Sequence, residues 1–199
     1  MLLSNQHGMK TQIFTSVFTT LSLVSMAQNH TNTQLHTQTK LNLELQGFGL
    51  SVEPALGKSF TVDFSGGIGT GGYDISTNNL TYVVAPLDPT LFASITPKFY
   101  YNRARRLAKG KNNALNAGNY FGLRIKYTSK GLSESSEAYD ALLFNAHWGM
   151  QRAMGKRWTM NTHFGLGYAM DATDLNNSSG TIYPALDLKF SYILNRNRG

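Results

Sequence analysis

The sequence predicts an all-β fold, a transmembrane antiparallel up-and-down β-barrel of eight strands, and three observations carry that prediction. Large apolar residues alternate with small or polar ones over long runs, most cleanly from Trp158 to Met170. The connections between these runs alternate between tight turns and longer polar loops, as in outer-membrane barrels. The face opposite the apolar one is built from glycines and from charges of both signs, which suits the inside of a narrow barrel better than a soluble surface.

Composition narrows the class further. The chain has 199 residues, enough for one domain. It has no cysteine, so neither a disulfide framework nor a thiolate metal site is expected. Charged residues make up 15%, well below the roughly 25% of soluble domains. The formal charge of +7 raises nucleic acid as a partner. Much of that excess lies in one short run, Arg103, Arg105, Arg106, Lys109 and Lys111.

The chain begins with a secretory signature. Lys10 supplies a positive n-region, Ile13 to Val24 an uncharged apolar stretch, and Ser25-Met26-Ala27 a small-x-small cleavage site. Residues 1–27 therefore read as a signal peptide, with Met9 as the functional start. The stretch is too short and too rich in Ser and Thr for a transmembrane helix. Residues 28–37 form a polar lead-in, 38–194 the barrel and 195–199 a basic tail.

Strand patterns then follow one another, with no convincing helix pattern among them. Leu41, Leu43 and Leu45 share a face of the first strand, and Phe48, Leu50, Val52, Pro54 and Leu56 a face of the second. The parity flips between them, so either a two-residue hairpin at Gln46-Gly47 or a bulge in one long strand intervenes. The third strand carries Phe60, Val62, Phe64 and Ile68, and the fourth runs from Leu91 to Tyr101. The fifth carries Phe121 to Tyr127, the sixth Leu142 to Met150, the seventh Trp158 to Met170 and the eighth Leu186 to Leu194. Residues 57–59 (GKS) and 155–157 (GKR) are tight turns, whereas 70–89, 129–139 and 173–180 are longer and polar. The run 103–118 breaks the rule as a long connection at the turn end.

The apolar face is assigned to lipid. Aromatics on it gather toward strand ends, at Phe60, Tyr101, Tyr127, Trp158, Tyr168 and Tyr192, as interfacial girdles do. The inner face then holds Lys40, Glu44, Glu53, Asp63, Lys98, Arg124, Lys126, Asp187 and Lys189. A three-residue GKS turn places Glu53 opposite Asp63, two carboxylates that repel unless a cation lies between them. The Gln46-Gly47 hairpin places Lys40 opposite Glu53. These residues are expected to form a salt-bridge network that fills the lumen. His147 and His163 are expected inside as diagonal neighbours, a hydrogen-bonded pair rather than a metal site, because no third ligand is evident.

At this point the chain resembles the small outer-membrane β-barrel proteins of the Bacteroidota. The resemblance rests on KFYYNRARRLAKGKNNALNAGNYFGLRIKY (98–127), where an aromatic strand end, a basic turn and a Gly-Asn-aromatic restart come together. It extends over the signal peptide and most of the barrel, and more loosely the architecture is similar to eight-stranded adhesion and anchor barrels of other Gram-negative bacteria. The last strand, with Phe190, Tyr192 and Leu194, is similar to the signal read by the barrel assembly machinery, but it lacks a terminal Phe and trails NRNRG. The resemblance implies residence in the bacterial outer membrane, with outer-membrane lipid and that machinery as partners.

Other motifs lead nowhere. Gly67-x-Gly69-x-x-Gly72 follows a strand, but no helix follows it to receive a phosphate. LGKS lacks the earlier glycine of a P-loop, since Val52 stands there. No Ser-His-acid set converges at one rim. The basic run has few interleaved aromatics, which argues against nucleic acid, and is a candidate contact for anionic head groups or cell-wall polymer at the periplasmic rim. Tyr73, Asp74, Tyr82, Asp171 and Asp174 are loop residues that an external ligand could use, or simply solvated ones. The sequence thus points to a non-enzymatic barrel with a structural or surface-interaction role and no cofactor or metal. A narrow pore for small solutes is the alternative, and a lipid-modifying enzyme a further one.

Overall fold

The structure is a computed structural model that describes residues 34–195, apart from 77–78, 134–135, 137 and 174–179. The signal peptide, residues 28–33 of the lead-in, Asp174 and residues 196–199 of the basic tail lie outside the described residues.

Eight strands close into an antiparallel barrel. They are β1 (Gln38–Glu44), β2 (Gly47–Glu53), β3 (Phe60–Gly69), β6 (Thr90–Tyr100), β7 (Gly118–Thr128), β8 (Ala141–Met154), β9 (Trp158–Asp171) and β10 (Thr181–Ile193). Each barrel strand pairs with its predecessor in that list, and β1 closes the circle against β10. The turn end carries residues 57–59, 101–117 and 155–157, and the loop end carries 45–46 and the described residues of the connections that leave β3, β7 and β9.

The period-two pattern fixes which side chains point in. Along β6 and β7 the burial alternates without a slip, Thr90, Phe92, Ser94, Thr96, Lys98 and Tyr100 inward and Leu91, Ile95 and Phe99 outward. The inside is polar and the outside apolar, the reverse of a water-soluble barrel. Gly49 and Gly67 face each other across β2 and β3, and the Phe92 ring lies against both. A Cβ at Gly67 would meet the Phe48 carbonyl oxygen at 2.1 Å and the Phe92 ring at 2.7 Å, so the glycines make the slot the ring fills.

Three features differ from the sequence expectation. The first hairpin turns on Leu45-Gln46 rather than Gln46-Gly47, with Glu44 opposite Gly47. Gly47 lies just after the turn because a Cβ there would stand 2.1 Å from the Ile68 carbonyl oxygen of β3. Lys40 consequently faces Ser51 rather than Glu53. The loop 70–89 is not plain coil but contains a two-stranded hairpin, β4 (Gly71–Ser76) and β5 (Asn79–Val84). The connection after β6 contains a short helix, α1 (Arg103–Ala108), and a 3-10 turn (Ala114–Asn116). In each case a local pattern too short to show periodicity is fixed by what it packs against.

Both additions close a barrel end. The hairpin folds over the loop end and sets Tyr73, Ile75 and Leu80 on the inward-facing Ala141, Leu143 and Ala169. At the turn end, Leu35 of the lead-in is 2% exposed and packs on Tyr100 and Tyr120. Asn116 clasps the lead-in from below, its Nδ2 donating to the His36 carbonyl (2.8 Å) and its Oδ1 accepting from the His36 N–H (2.9 Å). Leu115 and Asn116 reach this position only with left-handed backbone, φ of 52° and 58°.

Gly67→Val is expected to overpack the Phe92 slot and lower stability by about 1–3 kcal/mol or more. Urea unfolding followed by tryptophan fluorescence checks this, with Gly57→Ala, where nothing lies within 4 Å but φ is +128°, reporting backbone strain alone.

Candidate functional site: the charged lumen

The inner charges assemble as layers across the barrel. Register carries Glu53 opposite Asp63, since Val52 pairs with Phe64 and Ala55 with Thr61. Two lysines stand between the carboxylates. Lys40 Nζ of β1 donates to Glu53 Oε2 and, at 3.0 Å, to Asp63 Oδ2. Lys98 Nζ of β6 lies 3.0 Å from Asp63 Oδ2 and 3.3 Å from Glu53 Oε2. All four side chains are buried, so the square is a balanced set of two cations and two anions shut away from water.

Hydrogen bonds extend this layer. Thr61 Oγ1 donates to Glu53 Oε1 (2.6 Å), and the Tyr100 hydroxyl stands 3.3 Å from the same oxygen. Gln151 receives a bond from Asn161 Nδ2 (3.1 Å), while its own Nε2 donates to the Leu115 carbonyl (2.7 Å). The Tyr120 hydroxyl donates to Asn161 Oδ1 at 2.7 Å. The layer is therefore tied to the turn-end plug beneath it.

Nearer the loop end, Arg124 Nη1 of β7 reaches Asp187 Oδ2 of β10 at 2.8 Å, bridging strands that are not neighbours, and its Nε donates to Thr96. Lys189 holds Glu44 at 2.9 Å across β10 and β1. Lys126 is the exception to the expected network. It is 8% exposed, has no ion pair among the described residues, and sets its ammonium 4.9 Å from the Phe92 ring centroid.

His147 and His163 lie inside as expected, with Gly149 opposite His163 and Gly165 opposite His147. Their rings stack at 3.9 Å with 23° between planes, so they offer each other faces rather than nitrogen lone pairs to a common point. His147 Nδ1 donates to Asn145 Oδ1 at 2.7 Å, and Asn145 Nδ2 donates to the Tyr183 hydroxyl at 3.3 Å. The pair is thus stacked rather than hydrogen-bonded to each other as expected, and His147 Nε2, though buried, has no hydrogen-bond partner among the described residues.

The outer-face aromatics stand at the two rims. Phe60, Tyr101, Trp158 and Tyr192 are at the turn end, and Tyr127 and Tyr168 at the loop end. Trp158 and Tyr192 meet edge to face at 5.2 Å, and Tyr101 accepts a hydrogen bond from Trp148 Nε1.

The basic run divides into two roles. Arg103, expected as a contact residue, is 4% exposed and is structural: it donates to the carbonyls of Asn113, Ala117 and Gln34, which knits the plug together. Burial lowers its pKa from the usual guanidinium range. Arg105, Arg106, Lys109 and Lys111 remain at the surface and line a shallow recess with Arg152. At the other end, Tyr73 and Tyr82 are hairpin residues in mutual edge contact at 5.4 Å rather than free loop side chains. Burial raises the Tyr73 hydroxyl above its ordinary range. Asp88 is held below the usual carboxylate range by the Ser136 hydroxyl and the Ser133 N–H, which stitches loop 85–89 to loop 129–140.

Fold and site together define a closed eight-stranded antiparallel barrel with a charge-paired lumen and an apolar exterior. Searches against protein-family models, curated proteins and solved structures gave no match to the chain.

Lys40→Met is expected to leave Lys98 alone with two carboxylates and to cost about 3–5 kcal/mol in unfolding free energy. Adding Asp63→Asn should recover part of the loss, which a double-mutant cycle in urea measures. A cysteine at Thr61 should resist a water-soluble maleimide that labels Lys130→Cys freely, because Thr61 is fully buried and Lys130 is exposed.

Proposed function

We propose that the protein is an integral outer-membrane barrel, non-enzymatic, whose lumen is a packed core and whose loop end faces outward for structural or surface-interaction roles. The observation that carries this is the exterior. Leu41, Leu43, Phe48, Leu50, Ile95, Phe121, Leu123, Ile125, Phe164, Leu166, Ile182 and Leu186 are all exposed on one continuous belt. Soluble monomers rarely expose apolar patches above a few hundred Å², whereas a belt between aromatic rims is the surface a bilayer requires. The secretory signature and the resemblance to Bacteroidota barrels agree with this reading. The recess of Arg105, Arg106, Lys109, Lys111 and Arg152 beside the turn-end aromatics then falls at head-group level.

Two observations favour a closed lumen over a narrow pore. The Lys40–Glu53–Asp63–Lys98 layer joins four successive strands and is carried to the far wall through Tyr100, Gln151 and Asn161, and the Leu35, Tyr100 and Tyr120 cluster seals it on the turn-end side.

The membrane-fraction protein is expected to migrate differently in SDS gels before and after boiling, because a closed membrane barrel resists SDS when cold. A protein released in the soluble fraction with no such shift overturns the membrane reading. In planar bilayers the folded protein should give no discrete conductance steps, and regular steps would favour the pore instead.

A further inference from the structure

We propose that the cavity at the loop end binds a single-chain anionic amphiphile, with its head group beside Lys126 and its chain leaving sideways between the β1–β2 turn and β10. This rests on the membrane reading only for the source of the ligand.

The barrel wall has a notch there. β1 pairs with β10 only from Lys40 opposite Ile193 to Glu44 opposite Lys189, and then turns back at Leu45-Gln46. β10 continues to Thr181, paired with β9 throughout. Residues 181–188 of β10 therefore have a strand partner on one side only, among the described residues. Pro184 lies within this stretch, and proline belongs at a sheet edge because it has no N–H to give.

A cavity of about 480 Å³ opens at the notch, within the range of small-molecule sites. Its lining joins the two sides of the wall. Leu45 and Leu186 belong to the lipid-facing exterior, 63% and 68% exposed, whereas Arg124, Lys126, His163 and Asp187, the last paired with Arg124, belong to the lumen. Tyr73 and Leu80 of the hairpin roof it. The cavity is apolar at its mouth, and at its depth Asp187 matches Arg124 and leaves Lys126 as the unmatched positive charge, the polarity of an alkyl chain ending in an anion.

The charge count supplies the sign. Among the described residues the enclosed part of the inner face carries five cations, Lys40, Lys98, Arg124, Lys126 and Lys189, and four anions, Glu44, Glu53, Asp63 and Asp187, while Asp171 follows the same parity only at the exposed loop rim, where it accepts from Thr173. Each of the four enclosed anions has a cation within 3.3 Å, and Lys126 is left over. A buried ammonium without a direct ion pair is costly, and this one, held against the Phe92 ring, lines the cavity. A carboxylate or phosphate monoester head supplies the missing charge.

The test uses the full barrel folded in dodecyl maltoside, with folding verified by the SDS gel shift, and dodecanoate as the probe. Native mass spectrometry should show one dodecanoate per barrel, and methyl dodecanoate should not bind. Quenching of a Leu45→Trp reporter by a brominated fatty acid should saturate at the same stoichiometry. Lys126→Gln should weaken binding about tenfold or more, and Lys126→Arg should restore it. Dodecyl phosphate binding in place of dodecanoate assigns a phosphate head and still supports the site. Equal binding of acid and ester, unchanged affinity in Lys126→Gln, or no saturable binding by a barrel that shows the gel shift overturns the proposal. A protein that proves soluble yet binds through Lys126 overturns the membrane reading instead.

Discussion

Two carboxylates, Glu53 and Asp63, face each other inside a narrow barrel, and they can both be ionised only because Lys40 and Lys98 lie between them. Most of the architecture is a condition for that arrangement. The three-residue GKS turn sets the two acids opposite each other. Lys40 reaches them only if β1 lies beside β2, and Lys98 only if β6 lies beside β3. A slip of one residue in any of these ladders would turn a charge outward and leave its partner unpaired in the lumen. Register here is enforced from the inside by charge, whereas a soluble barrel enforces it by burying an apolar face.

Charge pairing alone does not close a tube, and the two ends are sealed by different physics. At the turn end the seal is largely polar and backbone-directed: Arg103, Asn113 and Asn116 exchange hydrogen bonds with main-chain groups of 34–36, 103 and 113–117 around the small Leu35 cluster. At the loop end the hairpin β4–β5 seals by apolar contact, with Tyr73, Ile75 and Leu80 against Ala141, Leu143 and Ala169. Apolar contact is non-directional and tolerates displacement, whereas the turn-end bonds require one geometry. The loop end is thus the side on which a ligand can be admitted with least loss.

The eight barrel strands were legible because alternation over 7 to 14 residues is a strong signal, and both three-residue turns followed from it. The inner charge set was legible for the same reason, since parity alone assigns Lys40, Glu53, Asp63, Lys98, Arg124 and Asp187 to one face. Parity does not say who pairs with whom. The Leu45-Gln46 turn lies one residue from its expected place because a two-residue hairpin at either position gives the same flip, and only the contact of Gly47 with Ile68 distinguishes them. The hairpin strands and helix α1 are six-residue elements; the hairpin sets Tyr73, Ile75 and Leu80 on a barrel mouth, and α1 buries Arg103 alone, contacts that no local pattern encodes. Arg103 looked like its neighbours in a basic run, and its burial depends on carbonyls 10 to 69 residues away.

In a sequence whose levels agree, the place that breaks the rule is the place to look for function. Glycine slots, alternation, turn chemistry and four matched carboxylates all serve one compact lumen here. Against that background the first hairpin stops short of β10, a proline sits on the strand edge it leaves bare, and one lysine enters the lumen without an acid. Any one of these would be tolerable noise. All three adjoin a single cavity that opens onto the apolar exterior. A wall left open beside an unmatched charge is what a barrel needs to take an anion with an apolar tail from the side.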